Sequence, residues 1–197
     1  HIHIGYFDSS NKDMFYITNS SGSWSSKTKL ERIGTSTGGS GLSIAISPIT
    51  DQPGISYFVT GATDLKYTYY DGSTWTNQTI SPAGDYGRFN SLAYDSAGNA
   101  HISHERNGPD DVYYTTDATG VWNTTAIDTT NSVGLYTDIA VDSNDDVHIA
   151  YRSNTWQDLK YATVQGYKTG TFARSDVSGA TCSITPGLPN GLTLSPG

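Results

Sequence analysis

Cysteine is nearly absent from this sequence. Cys182 stands alone among 197 residues, so no disulfide forms within the chain. Cations are scarce as well: 11 Lys and Arg, scattered along the chain, face 19 Asp and Glu, giving a formal net charge of −8. That balance makes nucleic acid and anionic membranes poor partners. No stretch approaches the roughly 18 apolar residues of a membrane-spanning helix. Helical periodicity is missing too, because Gly or Pro interrupts every apolar stretch.

What remains is a chain of 21 Gly, 14 Tyr and 4 Trp, rich in Ser, Thr, Asn and Asp. Such a composition predicts an extracellular or cell-surface protein. His1-Ile2-His3-Ile4 opens inside a strand pattern without an initiator Met, which reads as a piece of something longer.

An internal repeat organises the chain. Ala100-His101-Ile102-Ser103-His104, then Asp111-Val112-Tyr113-Tyr114, then Trp122 returns as Val147-His148-Ile149-Ala150-Tyr151 and Asp158-Leu159-Lys160-Tyr161. Earlier copies run Gly54-Ile55-Ser56-Tyr57, Asp64-Leu65-Lys66-Tyr67, Trp75 and His3-Ile4-Gly5-Tyr6, Asp13-Met14-Phe15-Tyr16, Trp24. The aspartates at 13, 64, 111 and 158 are spaced by 51, 47 and 47 residues. A period of roughly 40 to 50 residues of short strands predicts β-propeller blades. We therefore expect an all-β propeller with about four blades of four antiparallel strands, A to D in chain order. It would be a four-blade ring or part of a larger one. Approximate units are 1–47, 48–95, 96–142 and 143–178, with 179–197 as a tail. The first unit lacks a strand A. The tail around Thr181–Ser195 or a partner would cover that edge, and a homodimer completing a ring is one such partner.

The C-to-D turns, Asp71-Gly72-Ser73-Thr74-Trp75, Asp117–Trp122 and Asn19–Trp24, resemble degenerate Asp-boxes, the S-x-D-x-G-x-T-W signature of sialidase-like (BNR) propellers. In that family the box is a structural hairpin remote from the active site. Separately, Ser183-Ile184-Thr185-Pro186-Gly187-Leu188-Pro189-Asn190-Gly191-Leu192 resembles the opening of putative-Ig modules of microbial surface proteins. Sialidase chemistry implies an arginine cluster, a Tyr/Glu pair, an acid Asp and an early Arg-Ile-Pro. Here Arg32-Ile33-Gly34 stands instead, and no catalytic residue transfers.

Three places could hold a ligand. His3, His101 and His148 recur at one strand-B position, as a metal ring would require, but Gly54 interrupts the series and blades hold equivalent positions well apart, so the expectation is that each satisfies a hydrogen bond within its own blade and holds no metal. Asp142, Asn144 and Asp146 form an acidic turn that makes calcium a candidate, without the Gly and distal Glu of an EF-hand loop. Repeat departures cluster on the D-to-A and B-to-C connections, expected to share one face: Tyr86, Arg88, His104, Glu105, Arg106, Tyr136, Arg152 and Trp156. Aromatic rings beside Arg and Glu suit a sugar or a peptide. The expected function is a non-catalytic binding or adhesion module of a secreted or surface-attached microbial protein, with carbohydrate or a surface protein as partner and no cofactor beyond that calcium. The alternatives are a sialidase-like glycan-active enzyme fragment and a structural scaffold. A paired carboxylate-plus-arginine pocket on that face would favour the enzyme, a shallow aromatic groove the binding module, and a sealed, featureless face the scaffold.

Overall fold

The computed structural model describes residues 1–32, 41–81, 83–165 and 171–176, with residues 165 and 171–176 described by their backbone alone. Strands form throughout and no helix occurs among these residues. The first sheet joins β1 (His3–Asp8), β2 (Asp13–Thr18) and β3 (Thr28–Arg32). The second joins β4 (Leu42–Ile46), β5 (Pro53–Val59), β6 (Asp64–Tyr70) and β7 (Trp75–Thr79). The third joins β8 (Tyr86–Tyr94), β9 (Ala100–Arg106), β10 (Asp111–Thr116) and β11 (Asn123–Asp128). The fourth joins β12 (Val133–Val141), β13 (Val147–Ser153), β14 (Leu159–Gln165) and β15 (Thr171–Asp176). All neighbours are antiparallel and follow chain order. This is the expected propeller architecture of four successive blades. The tail proposed to close it, 179–197, lies outside the described residues.

The sequence builds these sheets by alternation. Residues of one parity on each B strand face the preceding sheet, and those of the other parity face the following one. Met14, Tyr16, Ile55 and Tyr57 thereby form the core between sheets one and two. Leu65, Tyr67, Leu92 and Ile102 do the same between two and three. Val112, Tyr114, Val133 and Ile149 fill the third junction. Each fully buried aliphatic side chain contributes about 1.5–3 kcal/mol. Among the described residues, successive sheets pack on one another, with β4 against β1, β8 against β4 and β12 against β8.

The inner strands depart from expectation at their start. The pattern predicts strand A from Ser91 and Asp138, but β8 and β12 begin several residues earlier. Two register shifts in each absorb the extra residues as bulges. Gly87 and Gly134 sit in these bulges at φ 108° and 104°. A Cβ there would lie 2.8 Å from the Leu65 Cα or 2.9 Å from the Asp111 carbonyl oxygen, so only glycine fits. Phe89 and Tyr136, two residues on, also hold positive φ. Buried bonds lock them there: Ser56 Oγ donates to Asn90 Oδ1 at 2.6 Å, and Thr137 Oγ1 donates to the Phe89 carbonyl at 2.7 Å. At the outer edge, Trp75 opens β7 as expected, whereas Trp24 precedes β3 by four residues.

Candidate functional site

The connections divide the molecule into two ends. A-to-B and C-to-D turns occupy one; B-to-C and D-to-A connections occupy the other. Concave clefts open at the first end, one at each of two successive junctions. The cleft between sheets one and two, about 660 Å³, is lined by His3, Tyr16, Asp51, Gln52, Tyr70 and Trp75, among others. That between sheets two and three, about 780 Å³, takes in Tyr67, Tyr69, Gln78, Tyr94, Asp117 and Trp122. Both volumes fall within the roughly 300–1,000 Å³ of small-ligand sites.

The two clefts are built from the same repeat positions. Tyr16 and Tyr67 come from strand C of one sheet; Trp75 and Trp122 come from the next sheet. The Trp75 ring meets Tyr16 at 4.8 Å and 62° and Tyr70 at 5.5 Å. Trp122 meets Tyr67 at 5.2 Å and 60°. Its indole N–H donates to Gln78 Oε1 at 2.8 Å, which fixes the ring.

The floors differ. In the first cleft His3 Nδ1 and Tyr16 Oη share a hydrogen bond of 2.6 Å. In the second, Gly54 replaces the histidine, and the Tyr94 hydroxyl enters from the third sheet to meet Tyr67 Oη at 2.5 Å. A Cβ on Gly54 would lie 1.9 Å from that hydroxyl oxygen. Burial raises the pKa of both phenols, Tyr94 to about 12. They remain neutral hydrogen-bonding groups at ordinary pH.

The recurrent histidines serve their own blades. His101 Nδ1 meets Tyr114 Oη at 2.5 Å, and its Nε2 faces Asp95 Oδ2 at 3.3 Å. His148 bonds Tyr161 and lies 3.4 Å from Asp142 Oδ2. Among the described residues no three His, Cys, Asp or Glu side chains converge as metal ligands. The candidate calcium turn is held by its own donors: Asp142 Oδ1 accepts from the Asn144 and Asp146 amides at 2.8 and 3.0 Å. Asp95 organises its hairpin the same way, through the Ala97 and Asn99 amides.

The residues singled out at the opposite end fall into separate groups. Tyr86 pairs across the ladder with Arg106, whose guanidinium lies 5.2 Å over its ring. Tyr113 and His104 meet Tyr86 edge-on at 5.1 and 6.0 Å. His104 is fully buried, and its Nε2 meets Thr115 Oγ1 at 2.8 Å. Burial lowers its pKa to about 3, so the ring is neutral. Arg88 pairs with Asp85 at 3.1 Å and lies 5.4 Å from the Phe58 ring. Its ladder partner Glu105 is buried. Burial, then the neighbouring Asp110 carboxylate, pushes Glu105 up to about 7, while Arg88 opposes the rise. On the fourth sheet Arg152 donates to Gln157, and the Lys160 ammonium lies 4.6 Å over the Trp156 ring. Tyr136 is 64% exposed and touches Phe89 at 4.8 Å. An acid pair beside an arginine is therefore present, but Glu105 is closed to solvent.

Trp75 and Trp122 stand out in the sequence only as repeat members that end the C-to-D turns, Tyr67 only as a repeat member, and Tyr94 not at all. One signal was available: Gly54 breaks the histidine repeat in the unit whose cleft floor Tyr94 fills.

No family model matches the chain, and no curated protein matches it. Solved structures do. One is Aleuria aurantia lectin, as a point mutant in complex with alpha-methyl-L-fucoside: TM-score 0.59, 16% identity, 92% of this chain and 58% of that one. A complex of the same lectin with Fucalpha1-6GlcNAc gives 0.57 and 16%, over 92% of this chain and 59% of that one. AofleA from Arthrobotrys oligospora gives 0.62 and 11%, over 91% and 54%. The chain thus spans little more than half the length of these structures. At such identities the likeness shows the fold, a β-propeller.

Proposed function

We propose that this chain is a non-catalytic carbohydrate-binding module whose sugar sites are the clefts between successive sheets. One observation carries the reading. The same set, a Trp from one sheet facing a hydrogen-bonded Tyr of the one before, recurs at two junctions beside Gln and Asp side chains. Indole and phenol rings cover the apolar face of a sugar, and the amide, carboxylate and hydroxyl groups meet its hydroxyls. The lectin complexes named above share the fold and are supporting company. Burial of Glu105 supports binding without catalysis, since a general acid must reach its substrate. An exported or surface-attached parent fits this reading.

Calorimetric titration with methyl fucoside, followed in parallel by tryptophan fluorescence, tests it. Two sites per chain are expected. Trp75→Ala and Trp122→Ala should each remove one site, weakening it at least tenfold. A folded chain giving neither heat nor a fluorescence change with fucoside or a panel of neutral monosaccharides would sink the proposal. The exposed Tyr136 ring, held on Phe89, favours a further contact at the opposite end; Tyr136→Ala should then weaken binding of oligosaccharides more than of monosaccharides.

A further inference from the structure

The two clefts differ in charge. Among the described residues, the cleft between sheets two and three is lined by two carboxylates, Asp71 and Asp117, and by no lysine, arginine or histidine. Four rings line it too: Tyr67, Tyr69, Tyr94 and Trp122. Tyr67 and Tyr69 stand on one face of β6 and stack at 5.8 Å and 25°. Trp122 closes on Tyr67 from sheet three. The cleft between sheets one and two has His3 and Asp51 in its lining instead. The residue equivalent to Asp117 in that cleft is Asp71, which is not part of its lining.

Turn geometry sets this difference. Asp117 Oδ1 accepts from the Ala100 amide at 2.8 Å, which holds the carboxylate near the cleft floor. There, after burial, its charge helps to raise the Tyr67 and Tyr94 hydroxyls. Asp71 accepts from the Ser73 and Thr74 amides of its own turn and is exposed. Among the described residues neither acid pairs with a lysine or arginine. Burial lifts the Asp117 carboxyl above its ordinary value, against the pull of the Ala100 amide. A cation beside a desolvated carboxylate offsets that cost. The faces of phenol and indole rings carry negative potential and attract the same kind of group.

We propose that the second cleft takes a sugar bearing a protonated amine, with the ammonium set between Asp117 and the Tyr67, Tyr69 and Trp122 rings. This rests on the reading of the clefts as sugar sites and names the class of sugar for one of them. A hydroxyl offers Asp117 an ordinary hydrogen bond; an ammonium offers a charge-assisted one and a cation–π contact besides. A sugar carboxylate meets two like charges. The net charge of −8 attracts a cationic glycan to the chain as a whole.

Calorimetric titration of the full chain with glucosamine, glucose and glucuronate, at about pH 6 where an amine of this kind is protonated, tests the proposal. Glucosamine should fill one site per chain about tenfold more tightly than glucose, and glucuronate should bind more weakly than glucose. The preference should vanish at about pH 9, where the amine is neutral. Asp117→Asn keeps an oxygen for the Ala100 amide and should retain the β-sheet circular dichroism of the parent. It should bring glucosamine to within about twofold of glucose. Glucosamine that binds no tighter than glucose overturns the proposal, as does a preference that persists at high pH or in a folded Asp117→Asn chain. In those cases continued binding of methyl fucoside or glucose leaves the reading of the clefts as sugar sites standing; a folded chain that binds no sugar of any charge sinks both. Tetramethylammonium chloride carries the charge without the sugar. If it displaces glucosamine at equal concentration, the ligand is a bare ammonium group and the amino sugar is ruled out.

Discussion

Two junctions of this molecule solve one packing problem differently. Between sheets three and four, Asp128 accepts hydrogen bonds from Tyr151 Oη at 3.0 Å and Lys160 Nζ at 3.2 Å, and all three side chains are buried. Burial would raise the Asp128 carboxyl, but the Thr130 amide, Lys160 and Tyr151 outweigh it and hold the group below the usual range. Between sheets two and three the same positions hold Ile80, His104 and Tyr113. The first junction, Glu31 with Tyr57 and Lys66, repeats the charged solution nearer to solvent, at 22% and 18% side-chain exposure for the acid and the lysine. A buried charge is tolerated only with all its partners, whereas the uncharged set needs no ion, only ordinary hydrogen bonds such as the one between His104 Nε2 and Thr115 Oγ1. The repeat therefore fixes the backbone and leaves the chemistry of each junction free.

Breaking the charged trio should give the largest effect. Lys160→Met strands Asp128 in the interior and should cost about 3–5 kcal/mol in urea denaturation. Lys66→Met, at the wetter junction, should cost about 1 kcal/mol. Replacing the whole trio by apolar residues of similar volume (Asp128→Leu, Tyr151→Phe and Lys160→Met together) should return stability to within about 2 kcal/mol of the parent. A triple variant as unstable as Lys160→Met alone would refute the equivalence of the two solutions.

The cleft floors offer the next comparison. Gly54→Ala drives a methyl into the Tyr94 hydroxyl and should destabilise by about 1–3 kcal/mol. Adding Tyr94→Phe should recover part of that loss, because the nearest atom is gone while the Tyr67 hydroxyl, 2.9 Å from the same Cβ, remains. Thermal melts of the single and double variants decide it.

A smaller effect concerns Glu105, the buried ladder partner of Arg88 on β9. Glu105 has its pKa raised in the folded state, to about 7 from 4.5, so the native state binds the proton more tightly than the unfolded chain. The stability this confers is complete below about pH 4.5 and is lost as pH rises through 7. Relative to the parent, Glu105→Gln should therefore gain on the order of 2 kcal/mol between pH 5 and pH 8. A constant difference across that range would place the proton elsewhere.

Much of the fold was legible in the sequence because a propeller blade is a local object. Its strands are adjacent in the chain and its turns carry their own chemistry, as in Asp95–Asn99. The β8 and β12 bulges were legible only in part. Gly87 and Gly134 are visible as residues, but the need for them arises from Leu65 and Asp111 on the neighbouring sheet. The clefts were harder still. Tryptophan on strand D has an obvious structural reading, and nothing local tells that Trp122 stands over Tyr67, fifty-five residues earlier. The C-to-D turns close in two different ways. Asp71 Oδ1 accepts from the Ser73 and Thr74 amides, both at 2.7 Å, within its own turn. Asp117 instead holds the Ala100 amide at 2.8 Å, a bond closed to Asp71 because the equivalent residue, Pro53, has no N–H.

The sequence by itself determined the strands, their order and the blade period, because alternation and turn residues act over a few positions. Tertiary structure decided what each junction contains. Whether a tyrosine meets an acid or another tyrosine depends on side chains 23 to 27 residues apart in the chain and on different sheets, and only the stacking of one sheet on the next brings them within hydrogen-bonding reach.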